Sequence, residues 1–395
     1  MRIPSFGFAL LATAIEAGAA TCGGFPRLDV KTPDQFCVAL LADKFDFPRG
    51  IQPLPNGDLI VVDMGSWEAN VGSVWLLKPG DGAYQRTRLL NGLDRPNGIV
   101  LGPDGLVYVG VVGRIFRFDP RDPRGTMKDV IDALPGTGRH GLTTMRFDQR
   151  GDLFVNIGSA SDHCEGADGS APVSTALCGE AQGPNAKGVI RKYAMQWPAG
   201  TVGKFEVYAE GLRNSMALAF HPANNALWQA DNARDAIQVA MPGLKNDNDL
   251  PHDELNLVRK GRHYGWPYCY DDNQASPEYP AAKCSAYQAP ERLLPPHAAP
   301  LGMVFYTADQ FPAKYKGSLV IGFHGYRQYG HRLVALLPDK KGEPRGRMVN
   351  LIHGWSRKPK QDMGAPVDVK LGPDGNIYLV EDRPGRVIRL ALERP

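Results

Sequence analysis

Polar and apolar residues alternate over short stretches, and the stretches share a recurring phrase: a turn residue, usually Gly, then an apolar strand. The phrase reads Asn56-Gly57-Asp58-Leu59-Ile60-Val61, Asp104-Gly105-Leu106-Val107-Tyr108-Val109 and Arg150-Gly151-Asp152-Leu153-Phe154-Val155. It returns as Asn224-Asn225-Ala226-Leu227-Trp228, Lys316-Gly317-Ser318-Leu319-Val320-Ile321 and Asp374-Gly375-Asn376-Ile377-Tyr378-Leu379, six times in all. Short strands at regular spacing with turn signals predict an all-β fold. Successive phrases lie 48, 46, 74, 92 and 58 residues apart, and the shorter spacings suit one four-stranded propeller blade. The pattern therefore predicts a six-bladed β-propeller of four-stranded antiparallel blades, with residues 21–395 as a single domain carrying loop insertions near 160–188 and 231–300. A β-sandwich or two all-β domains are the competing architectures.

Composition narrows this further. The 45 Gly and 33 Pro punctuate the chain too often for long helices. A net charge of +3 without a basic run gives no support for nucleic-acid binding. Arg2, the apolar stretch Phe6 to Ile15 and the small residues Ala17 to Ala20 describe a secretory leader over residues 1–20. No stretch is long and apolar enough for a membrane span, so a periplasmic or secreted protein is expected. The six cysteines fall into three sequential pairs with spacings of 15, 14 and 15. In an exported chain these predict disulfides Cys164–Cys178, Cys269–Cys284 and Cys22–Cys37. Zinc is the alternative, but no Cys-x-x-Cys or His-x-His spacing occurs.

In a propeller the first strand of each blade lines the central channel, so the connection leading into it sits at the channel mouth. Those lead-ins carry Pro48-Arg49, Arg95-Pro96-Asn97, Arg139-His140, Arg213-Asn214, His297 to Pro300 and Ala365-Pro366. They predict one pocket rich in Arg, His and Asn and poor in carboxylates, suited to an anionic ligand and one neutral imidazole.

Gly211-Leu212-Arg213-Asn214, followed by Leu218 to Pro222, resembles the Arg-Asn lead-in of the soluble pyrroloquinoline quinone (PQQ)-dependent sugar dehydrogenases. Asp253-Glu254-Leu255-Asn256-Leu257 and Gly261 to Pro267, with Tyr264-Gly265-Trp266-Pro267, resemble that family's most distinctive stretch. His140, followed by Phe147 to Gly158, is a third match. The wording around Asn232–Asp235, Leu250–Glu254 and His324-Gly325 is similar to the sorbosone dehydrogenase branch, and the resemblance covers residues 30–393.

The resemblance implies a propeller that binds PQQ and Ca²⁺ at the channel mouth and oxidises a small sugar or related alcohol or aldehyde. A quinone there accepts a hydride while a neutral histidine takes the hydroxyl proton; His140 matches that histidine. Arg213 matches a contact to a PQQ carboxylate, with Asn214 as its hydrogen-bonding neighbour. His324 and Arg327 fall near a basic cofactor contact. Residues 231–254 are rich in the oxygen ligands that calcium prefers, and Asn232, Asp235 and Glu254 are the candidates. No Cys-x-x-Cys-His motif occurs, so electrons must leave to an external quinone or cytochrome.

The chain also departs from the family. Asp231 to Asp235 replaces the Gln-Gly-Pro phrase of the glucose-oxidising members, and the last lead-in, Gly364 to Asp368, lacks their two arginines. These departures point to another aldose, sorbosone or another alcohol or aldehyde. Two other readings compete: a non-catalytic binding propeller, and a metal-dependent lactonase, which would need acidic side chains at several lead-ins.

Overall fold

In the computed structural model, which describes residues 20–355 and 364–393, every repeated phrase is the turn between the first and second strands of a blade. The turn needs a left-handed backbone, with φ of 88° at Gly57, 76° at Gly105 and 76° at Gly375. Asn225 adopts it too, at 56°, because its short polar side chain tolerates that region. Blade 1 runs outward from the channel through Pro48–Pro53, Leu59–Asp63, Gly72–Lys78 and Gln85–Leu93. Blades 2 to 5 repeat the order from Ile99–Leu101, Met145–Phe147, Ala217–Phe220 and Pro300–Phe305. Blade 3 departs from the expected four antiparallel strands by a fifth, Arg262–His263, paired parallel to its outer strand Thr201–Glu210.

Blade 6 closes the ring. Its inner strands Pro366–Leu371, Ile377–Glu381 and Arg386–Leu392 are completed by the N-terminal strand Phe36–Ala42, antiparallel to the last of them. The protein is a six-bladed β-propeller, and no α-helix occurs among the described residues. The expected leader falls, apart from Ala20, outside those residues.

Second strands read as unbroken apolar runs rather than alternations because both of their faces meet neighbouring blades. Val61 of blade 1 shares a core cluster with Val380 of blade 6, while its neighbour Val62 packs with Val109 of blade 2. The channel is polar. Asp368 of blade 6 accepts from Lys370 Nζ at 2.7 Å, from the Ile51 N–H of blade 1 at 3.1 Å and from Arg146 of blade 3 at 3.4 Å. Lys370 also donates to the Ile99 carbonyl of blade 2 at 3.2 Å. Four blades thus meet on one buried ion pair, Asp368 with Lys370.

All three disulfides form as expected. Cys22–Cys37 ties the N-terminal segment to the closing strand. The other two sit in long connections of blades 3 and 4, which pack on each other through Cys178, Trp266, Tyr268, Cys269, Tyr279 and Cys284.

Candidate active site

The lead-ins are held by their own blades. Asp231, ending the second strand of blade 4, accepts from the Arg213 and Asn214 N–H groups at 2.8 and 2.7 Å. Asp63 does the same for Asp46 and Phe47 in blade 1, and Asn156 for Thr144 in blade 3. The backbone at the mouth is therefore fixed before any ligand arrives.

The lead-ins of blades 1, 3, 4 and 5 open on a cavity of about 410 Å³, within the range of small-molecule sites. The expected Arg95-Pro96-Asn97 of blade 2 and Ala365-Pro366 of blade 6 do not line it. Seven of the eight residues expected from the sequence line it: His140, Arg213, Asn214, Asn232, Asp235, His324 and Arg327. Glu254 does not. It lines a separate, enclosed cavity of about 40 Å³ with Asp231 and Tyr264, and Arg213 reaches both cavities.

His140 is oriented by Ser159. Its Nδ1 lies 3.1 Å from the Ser159 carbonyl and 2.9 Å from the Ser159 hydroxyl, which itself donates to the Ser161 carbonyl at 2.6 Å. A carbonyl only accepts, so Nδ1 carries the proton and Nε2 keeps a bare lone pair. Burial, then the charges of Arg213 and Arg139, hold the imidazole pKa well below its usual 6.5. The group is a neutral base at neutral pH.

The mouth differs from the expected carboxylate-poor pocket, because every arginine in its wall has an acidic partner. Arg213 pairs with Asp162, Arg49 with Asp382 at 2.7 Å, Arg327 with Asp247 at 2.6 Å and Arg139 with Asp235 at 2.9 Å. His324 Nε2 also faces Asp382, at 2.9 and 3.0 Å. Asn232 donates to the carbonyls of Asn214 and Pro300 at 3.0 and 3.1 Å. The partner carboxylates come from connections after second strands, which return to the same face as the lead-ins because strands alternate in direction. That alternation was the available signal for Asp162, Asp247 and Asp382.

The wall is close to charge-balanced. Among the described residues four arginines line it with the carboxylates Asp235 and Asp253, and Asp162, Asp247 and Asp382 pair with three of those arginines. Burial pushes Asp253 up to about 7, which lessens its charge at neutral pH. Arg213 gives three N–H bonds to the protein, through Nε, Nη1 and Nη2, and keeps two of its five donors for a ligand. The buried Asn214 Oδ1 has no protein partner.

The enclosed cavity sets the carboxylates of Asp231 and Glu254 beside Arg213 and Arg234, which also line it. Burial, then the negative charge of Asp231, pushes Glu254 well above its usual value. Asp231 itself rises to about 6 through burial. The Glu254 carboxylate accepts only a 3.4 Å contact from Asn256. Arg213 offsets part of the charge on Asp231, but no cation is among the main causes of the Glu254 shift. A calcium ion beside Glu254 would offset the cost of burying it.

The glucose/sorbosone dehydrogenase family matches the chain over residues 112–389. The chain belongs to this family. Among its relatives is the aldose sugar dehydrogenase YliI of Escherichia coli, 25% identical over 374 residues, 87% of this chain and 90% of that protein. An uncharacterized protein of Borreliella burgdorferi is 30% identical over 198 residues. That match spans 48% of this chain and about half the length of the relative. The holo PQQ domain of Coprinopsis cinerea pyranose dehydrogenase shares the fold, at 18% identity and a TM-score of 0.71, over 94% of this chain and 99% of that one. Membership of the glucose/sorbosone dehydrogenase family supports a role in sugar oxidation.

Proposed function

We propose that the protein is an exported PQQ-dependent dehydrogenase that oxidises a hydroxyl or aldehyde carbon of an aldose, sorbosone or a related compound, with His140 as general base. The observation that carries this reading is the fixed tautomer of His140, which leaves Nε2 as an acceptor in the mouth cavity. PQQ, when bound, supplies the two-electron acceptor for the substrate hydride. Arg213 and Arg327 would hold its carboxylates and Asn214 would add a polar contact. His140 Nε2 takes the hydroxyl proton as the hydride leaves the same carbon, and burial keeps the base uncharged until then. The electrons pass afterwards to an external quinone or cytochrome.

Calcium is assigned to the Glu254–Asp231 cavity, where it would neutralise Glu254 beside Asp231, the carboxylate that braces the Arg213-Asn214 backbone. Asn232 and Asp235 lie in the mouth and would meet a cation only there. Export rests on the leader at 1–20 and on three disulfides, which persist in oxidising compartments. A lactonase would hold its metal in a ring of mouth carboxylates, and among the described residues Asp235 and Asp253 are the carboxylates that line this mouth.

The test is reconstitution of the purified protein with PQQ and excess Ca²⁺, followed by aldoses, sorbosone and simple alcohols with an electron-accepting dye. Saturable PQQ binding with sugar-dependent dye reduction is expected. Binding of neither PQQ nor sugar would leave a propeller without this chemistry.

A further inference from the structure

Three aromatic rings line the mouth cavity, Phe47, Trp67 and Tyr326, from blades 1 and 5 on either side of blade 6. They stand beside the polar Arg49, His324 and Arg327 of the same blades, while His140, Arg139, Arg213 and Asp235 come from blades 3 and 4. Trp67 is 60% exposed and Tyr326 51% exposed. Trp67 is the single exposed tryptophan of the chain's six.

Neither ring is loosely placed. The Trp67 indole meets Phe47 edge-on, with centroids 6.2 Å apart and planes at 62°. Asp63 anchors the backbone on both sides of that contact, accepting from Phe47 N–H at 2.7 Å and Gly65 N–H at 3.0 Å. Arg383 covers the Tyr326 ring at 4.3 Å, and its Nε donates to the Tyr326 hydroxyl at 3.2 Å. A fixed, wet aromatic surface is normally covered by an apolar partner.

A sugar ring suits a lining that sets exposed aromatic rings among polar groups. It presents C–H bonds on one face and hydroxyls around its edge. We propose that Trp67, supported by Phe47, is the stacking platform for the substrate's sugar ring, and so sets a preference for cyclic sugars over small open-chain alcohols. The platform rests on the dehydrogenase reading above. It places the C–H face of the ring over blades 1 and 5 and turns its hydroxyl edge toward His140. An open-chain alcohol has no ring face to stack and gains nothing from the indole.

Acrylamide quenching of tryptophan fluorescence tests this, because Trp67 dominates the accessible signal. The probe is the sugar with the highest kcat/KM in the reconstitution panel, or D-glucose if none turns over, added with and without PQQ. Saturating sugar is expected to shield Trp67 in the wild type, and Trp67→Phe is expected to remove most of the quenchable signal. In the reconstituted protein Trp67→Ala should raise the sugar KM about tenfold, with Trp67→Phe in between, as for the loss of one aromatic stacking face. PQQ affinity, read by visible absorbance, should not follow KM. Unchanged quenching with sugar, or a Trp67→Ala KM within twofold of wild type, overturns the platform while leaving the dehydrogenase standing. A wild type that oxidises no sugar overturns the reading beneath it, and the platform with it.

Discussion

His140 and Ser159 meet twice through one ring nitrogen: Nδ1 reaches the Ser159 carbonyl at 3.1 Å and its hydroxyl at 2.9 Å. The carbonyl sets the tautomer and the hydroxyl tightens the aim. Ser159→Ala removes only the second contact. It should lower kcat severalfold, in keeping with about 1 kcal/mol for one hydrogen bond, and leave PQQ binding intact. Stopped-flow reduction at saturating sugar measures it.

The same histidine fixes the pH profile. Burial and the charges of Arg213 and Arg139 lower its pKa, so the active neutral form persists as pH falls through 6.5. The acid limb of kcat/KM should lie below that value. Arg139→Gln removes one of the two cations and should move the limb upward. An unmoved limb would show that another group titrates there.

Asp162 holds Arg213 with its carboxylate, and its backbone carbonyl also accepts from Arg213 Nε at 3.1 Å and Trp266 Nε1 at 3.0 Å. Both side chains are buried. Asp162→Asn leaves the buried guanidinium without its counter-charge and should destabilise the fold by about 3 kcal/mol. PQQ affinity should fall as well, since Arg213 loses its orientation. Urea denaturation and absorbance titration read the two effects separately.

Lys370 gives a stability signature in alkali. Burial, reinforced by Arg146 and opposed by Asp368, lowers its pKa from 10.5 to about 8. Above pH 8 the folded protein releases this proton while the unfolded chain still holds it, so unfolding free energy rises with pH toward 10. Lys370→Met should abolish that rise in denaturation midpoints taken across the window.

Glu254→Gln removes one carboxylate from the enclosed cavity. Calcium should raise the melting temperature of the wild type, because a ligand that binds only the folded state stabilises it. The variant should lose most of that gain. Equal calcium shifts in both proteins would place the ion elsewhere.

Much of this architecture was written in local sequence. The six phrases needed only a left-handed turn and an apolar run, and both are properties of adjacent residues. The lead-ins carrying His140, Arg213 and Asn214 could be placed once the blades were counted. The counter-charges could be placed on the same face by strand alternation but not paired, because Asp382 reaches Arg49 from 333 positions away and Asp162 reaches Arg213 from the start of an insertion. Glu254 stood in the predicted oxygen-rich segment with Asn232 and Asp235. The strand His252–Val258 turns it into the enclosed cavity, while Asn232 and Asp235, just past the preceding strand, face the mouth. Trp67 carried no local signal, since an aromatic residue in a loop is equally compatible with packing inward.

The central claim is that His140 is the base of a PQQ-dependent sugar oxidation. Wild type and His140→Gln should be loaded with PQQ and Ca²⁺ and compared in one dye-reduction assay, with PQQ binding followed in the same samples. Equal PQQ binding is expected, with sugar-dependent turnover at least about 100-fold lower in the variant, the usual loss on removing a general base. Wild-type turnover in His140→Gln, or a wild type that binds no PQQ, would contradict it.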